Sequence, residues 1–162
     1  MSKISRKING AMLVLAMSAQ ASVAATAVGN LTVTATVIDT CVVVATPVAF
    51  ASLDASAATT EVTPGEIVVT CTSSKTGVTV ALNGGENLSG AQRRMDDGNG
   101  NFVPYDLHSD SGHSSEVAVN GNIFNGDITA AVPTAIDVYG EVPSGAYNAG
   151  VYADTVLITV TY

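Results

Sequence analysis

Tryptophan is absent from the 162 residues, cysteine occurs twice, and only 12% of positions carry charge. Basic residues are scarcest: six lysines and arginines stand against fourteen acidic residues, and Lys3, Arg6 and Lys7 account for three of the six. The rest of the chain repels a phosphate backbone, which sets nucleic-acid binding aside. No apolar run approaches the roughly 20 residues that a membrane-spanning helix needs. No helical period persists either, so helical layers are not expected. Disorder is excluded from the other side, because 47% of the residues are hydrophobic. So little surface charge suits a chain that assembles better than one that stays a free monomer.

What is present begins with a leader. Lys3, Arg6 and Lys7 form a positive start, residues 11–16 a short apolar core, and small residues come next with Ala-x-Ala sites at Ala19/Ala21 and Ala25/Ala27. Ser22/Ala24 is a softer variant. Residues 1–27 therefore read as an export signal cleaved near Ala27. About 135 residues remain, enough for one domain with a real core. Three bases and fourteen acids give that product a net charge of −11. Export places Cys41 and Cys71 where disulfides form and persist. They lack the paired spacing of a zinc site and the neighbours of an activated thiol. Pairing them closes a loop of about 30 residues, worth roughly 3 to 4 kcal/mol on loop-entropy grounds.

Period-2 alternation dominates the chain beyond the leader. In residues 29–41, Gly-Asn-Leu-Thr-Val-Thr-Ala-Thr-Val-Ile-Asp-Thr-Cys, the side chains of Leu31, Val33, Ala35 and Val37 fall on one side. Thr32, Thr34 and Thr36 fall on the other, the pattern of a half-buried strand. It belongs either to its own sheet or to another molecule's. Residues 66–71 form a strand opened by the turn signal Pro64-Gly65, and residues 77–82 alternate again up to Asn83-Gly84-Gly85. The link 72–76 suits a hairpin or a crossing between sheets. Short strands are expected near 91–95, 102–108, 116–119, 122–131 and 135–139. Residues 155–162 close the series as a long strand, with Val156, Ile158, Val160 and Tyr162 on one face. Strands spaced by about 8 to 12 residues without helices between them mean an antiparallel sandwich or barrel.

Chemistry is hard to find. Asp97, Asn99 and Asn101 occupy the first ligand positions of a calcium loop, but Phe102 stands where glycine is required and His108 where the bidentate glutamate belongs. A hairpin loop is expected there. His108 and His113 flank Asp110 in a polar loop without rigid support, so neither a metal site nor proton transfer is expected. Ser114 and Ser115 lack the nucleophile elbow. Arg93-Arg94 reads as a solvated loop. No residue set supports an enzyme, a metal or a cofactor.

In sum and order these segments resemble the subunits of archaic, Csu-type chaperone-usher pili, whose domain is also called the spore coat protein U domain. The alternating segment ending in Cys41, the strand Ile67-Val-Val-Thr-Cys71 and the run Val78-Thr-Val-Ala-Leu-Asn-Gly-Gly85 carry the likeness. So do Val138-Tyr139-Gly140 and, most specifically, Gly150-Val-Tyr152-Ala-Asp154-Thr-Val-Leu-Ile-Thr-Val-Thr-Tyr162. Residues 86–126 match least.

The resemblance implies an all-β, incomplete immunoglobulin-like sandwich completed by a donor strand from a neighbouring subunit. Residues 28–38 become the donor segment, with Gly29, Leu31, Val33, Ala35 and Val37 entering the neighbour, and 39–162 the pilin domain. Val156, Ile158, Val160 and Tyr162 would border the acceptor groove and meet first a chaperone's strand, later the donor. The implied partners are other pilin subunits, a periplasmic chaperone and an outer-membrane usher. The implied role is a subunit, of the shaft because one domain leaves no room for a tip's second, in a surface pilus serving adhesion and biofilm formation. A secreted monomeric β-sandwich that binds a ligand is the alternative.

Overall fold

The computed structural model describes residues 26–162. The leader expected over residues 1–27 thus lies outside the described residues except for its last two. The described part divides at Ala35, and the unit Thr36–Tyr162 carries all of its strands. In chain order these are β1 (Cys41–Thr46), β2 (Thr59–Thr60), β3 (Gly65–Cys71), β4 (Lys75–Leu82), β5 (Arg93–Asp96), β6 (Phe102–His108), β7 (Gly121–Ile128), β8 (Thr134–Val142) and β9 (Ile158–Thr161). No helix occurs among the described residues.

Alternation builds the core. β3 buries Ile67, Val69 and Cys71, and β4 buries Val78, Val80 and Leu82. Successive side chains of a strand point to opposite faces, so each strand offers one apolar row to the interior. β6 adds Val103, Tyr105 and Leu107, and β8 adds Ile136, Val138 and Val142. One sheet has the order β1-β3-β8-β6-β5, with β2 beside β8; the other has the order β7-β4-β9. All of these strand pairs are antiparallel. Because β3 and β4 lie in different sheets, the short link between them is a crossing rather than a hairpin. The disulfide joins Cys41 to Cys71, which face each other in the β1–β3 register with Cα atoms 4.0 Å apart. It ties two neighbouring strands of one sheet.

Residues 29–40 alternate but form no strand within their own chain; pairing begins only at Cys41. The structure corrects three expectations. The closing strand is β9 alone, half the length expected, because its partner β4 ends at Leu82 and the chain then turns at Asn83, Gly84 and Gly85. There the Asn83 side chain stands in for the ladder: the Leu157 N–H donates to Asn83 Oδ1 at 2.8 Å. Residues 116–119 form no strand beyond a single bridge between Glu116 and His108.

The third correction concerns Arg93, which is 3% exposed and not solvated. Its guanidinium donates to the carbonyls of Asn83, Val117, Leu82 and Ala118, so it ties together the loops at one pole of the sandwich. A buried cation without a carboxylate partner is tolerated because its donors are spent on those oxygens. Burial pushes its pKa down, against the opposing charges of Tyr105, Glu116, Asp106 and Asp154. Nearby, Asp154 accepts from the Tyr105 hydroxyl at 2.7 Å and from the Glu86 N–H at 2.8 Å. Gly85, at φ 75°, leaves room for that carboxylate where a Cβ would collide with it.

Candidate functional site

Each sheet ends in a strand with one free side: β1 at the edge of the larger sheet and β9 at the edge of the smaller. These edges run in opposite directions. At one end Lys75 joins them, paired with Asp39 before β1 and lying 5.1 Å from the ring centre of Tyr162 after β9. At the other end a cavity of about 500 Å³ opens between Ala45–Thr46 of β1 and the stretch from Ala153 to Ile158 that leads into β9. Its floor is core: Ile67, Leu82, Tyr105, Leu107 and Val138. The smaller sheet has only three strands, and no strand of residues 36–162 pairs with the free sides of β1 and β9.

An apolar floor between two unpaired strand edges has a definite chemical character. Free backbone N–H and C=O groups on β1 and β9 can take up another strand's ladder, and the cavity can take its side chains. No nucleophile with a base faces the cavity. Asp154, the one acid in its lining, is held by Tyr105 and Glu86.

Of the groove residues expected from sequence, Val156 and Ile158 line the cavity. Val160 packs on the core further along β9 without lining it. Tyr162 lies outside, 52% exposed beneath Lys75, because β9 ends before it. Phe50, Met95 and Tyr152 also form the wall. Met95 ends the strand expected near 91–95, Tyr152 stands in the closing motif and Phe50 in the short run Val48-Ala49-Phe50, but the pattern assigns none of them to the groove.

The segment expected to donate is exposed. Leu31, Val33 and Val37 are 88%, 82% and 79% accessible, and Gly29 and Ala35 are exposed too. Its root is held firmly. The Thr40 N–H donates to Thr72 Oγ1 at 3.1 Å, Thr72 Oγ1 donates to the Ile38 carbonyl at 2.9 Å, and Asp39 takes Lys75 and Ser73. Hydrogen bonds from Lys75 and Ser73 hold the Asp39 carboxyl below its ordinary value.

The loop between β5 and β6 is a hairpin loop closed on itself. Asp97 Oδ1 accepts the N–H groups of Asn99 and Asn101, and Oδ2 accepts the Asn101 side-chain amide.

Comparison with known proteins agrees with this geometry. The family model described as the Spore Coat Protein U domain matches residues 27–159. Among solved structures, the chain is similar to a chain of the chaperone–tip adhesion subunit pre-assembly complex from the archaic chaperone-usher Csu pili of Acinetobacter baumannii. Identity is 25% and the TM-score 0.52, over 78% of this chain and 41% of that one. The present chain thus spans about two-fifths of the length of that match. No curated protein matches. The fold is an all-β, incomplete immunoglobulin-like sandwich, and the chain belongs to the Spore Coat Protein U domain family.

Proposed function

We propose that this chain is a structural subunit of a surface pilus assembled by the chaperone-usher route. The groove between β1 and β9 receives a strand, and residues 28–38 supply one to the next subunit. One observation carries the reading: an unclosed apolar groove and an exposed, alternating apolar segment occur in the same molecule. A chain with both a socket and a plug joins on two sides, which supports a place in the shaft over the tip. Leu31, Val33, Ala35 and Val37 enter the groove, while Thr32, Thr34 and Thr36 face out and favour an extended backbone.

Before assembly a periplasmic chaperone's strand fills the groove, and an outer-membrane usher is where the exchange takes place. The solved relative was captured as a complex with its chaperone, which supports that order of events. The fibre reaches the cell surface and serves adhesion and biofilm formation.

Size measurement on the exported protein tests the reading. Gel filtration, and electrophoresis in detergent without boiling, should show a ladder of multimers that collapses to one subunit on heating. A closed monomer needing no partner would instead support a secreted binding module.

A further inference from the structure

We propose that a second cavity, between residues 48–55 and 145–152, seats the body of a second copy of this chain: it receives the donor's Ile38, so that successive subunits abut instead of hanging on a thread. The inference rests on the proposed function and adds to it a contact outside the inserted strand. The cavity measures about 930 Å³ and continues the groove, with which it shares Val48, Phe50, Met95 and Tyr152. It lies beyond the end of β1, at the pole away from Lys75.

Chain length forces the contact. Val37 is the last inward-facing residue of the plug, and Asp39 is fixed to its own body by Lys75 and Ser73. The Ile38 carbonyl accepts from Thr72 Oγ1 at the same place. Two residues of extended chain span only about 7 Å. With Val37 seated in an acceptor, the donor's crossing 72–75 is therefore held against the mouth of the acceptor's groove. No flexible linker is left between the bodies.

Closure decides which mouth it is. Each plug leaves its body at the Lys75 pole. A plug that entered its acceptor at that same pole would set two like poles face to face, and each could fill the other's groove, a two-fold pair that stops growing. Entry at the other pole repeats head to tail and propagates. The plug then runs antiparallel to β9, the more stable kind of ladder, and its root emerges between residues 48–55 and 145–152.

Two large apolar residues without a role in the plug or the core meet there. Ile38 is 75% exposed and Val151 is 90% exposed. In an extended chain Ile38 points away from Val37, to the outer side. Val151 stands beside Tyr152, which packs on the core while Val151 does not. The cavity is braced to receive a neighbour: Tyr147 donates its hydroxyl to the Pro143 carbonyl and Tyr152 donates to the Asn148 carbonyl, each at 2.7 Å. Both rings are thereby fixed with their polar ends spent. Among the described residues no charged side chain lines the cavity. A chain with fourteen acids can bring such a face against a copy of itself, and at the donor's pole Lys75 offsets Asp39.

Fibres of a subunit carrying both Ile38→Cys and Val151→Cys, assembled with its chaperone and usher and then oxidised, test the contact. Both positions are exposed in the single chain, so the body keeps its core. Electrophoresis after boiling without reductant should show a ladder of disulfide-linked multimers that collapses to one subunit when reductant is added. Ile38→Cys alone and Val151→Cys alone should give no ladder. Fibres carrying Ile38→Asp should dissociate about tenfold faster in denaturant. Fibres at normal yield without the ladder, linked pairs from Ile38→Cys alone, or an unaltered dissociation rate for Ile38→Asp would each overturn the contact while leaving strand exchange intact. An unaltered chain that forms no fibres would overturn the proposed function, and this contact with it.

Discussion

Deleting residues 28–36 is expected to abolish polymer formation, by at least a hundredfold in yield, while the shortened protein still binds its chaperone. The segment's contribution to a junction is large. Burying Leu31, Val33, Ala35 and Val37 gives on the order of 5 to 10 kcal/mol gross, and each ladder hydrogen bond to β1 or β9 adds roughly 0.5 to 1.5 kcal/mol. These residues are exposed in the single chain, so the whole of that area is available to a partner. The body loses little by the deletion, because its strands begin at Cys41 and its core contains none of the deleted side chains. Its groove keeps its walls and remains open to a chaperone's strand. Fibres formed at normal yield by the shortened protein would contradict the assignment, and loss of chaperone binding would show that the segment supports the body itself.

Replacing Cys41 and Cys71 together by alanine should lower stability by roughly 3 to 4 kcal/mol, from the loop of about 30 residues that the bridge closes. At 1.4 kcal/mol per tenfold, that is a shift of several hundredfold in the folding equilibrium. The place of the bridge adds to the effect. β1 has a single neighbour, β3, and Val42 and Val44 on its outer face are exposed, so little besides the ladder and the bridge holds it. β1 is also one wall of the cavity and follows directly on the segment proposed as donor. On the proposed assembly, fraying there removes an acceptor edge and frees the point from which the plug departs. Denaturant titration of the exported protein, with and without the bridge, measures the loss. A change below about 1 kcal/mol would mean that β3 alone holds β1 in place.

Much of the architecture was legible because it rests on local pattern. β3 and β4 alternate strictly between clear turn signals, Pro64-Gly65 before the one and Asn83-Gly84 after the other, and both came out where period 2 put them. Residues 29–40 alternate just as well and form no strand, since a strand also needs an edge to pair with. Alternation marks what a segment is fit to do once a partner arrives. The groove itself was half legible. Val156 and Ile158 sit on a periodic run; Phe50 from an irregular segment, Met95 from β5 and Tyr152 from just before that run meet them through packing that no spacing encodes.

The polar residues were least legible. Arg93 and Arg94 are neighbours in sequence, yet one is buried on four carbonyls and the other lies 4.2 Å from the ring centre of Phe102. Strand alternation turned them to opposite faces, and only the loops at the pole decided which face was interior. His108 escapes a sequence reading for a related reason. It ends β6 instead of standing in the loop, and Glu141, whose carboxylate lies 3.9 Å from its ring, comes from 33 residues later in the chain.

The most direct measurement is cross-linking mass spectrometry on fibres grown from equal parts of unlabelled and nitrogen-15-labelled subunits. Links between residues 29–37 of one isotopic form and the β1 and β9 edges of the other are the predicted result. Links that join this segment only to the body of its own chain would show a sandwich that closes itself, and the proposed socket and plug would have to be abandoned.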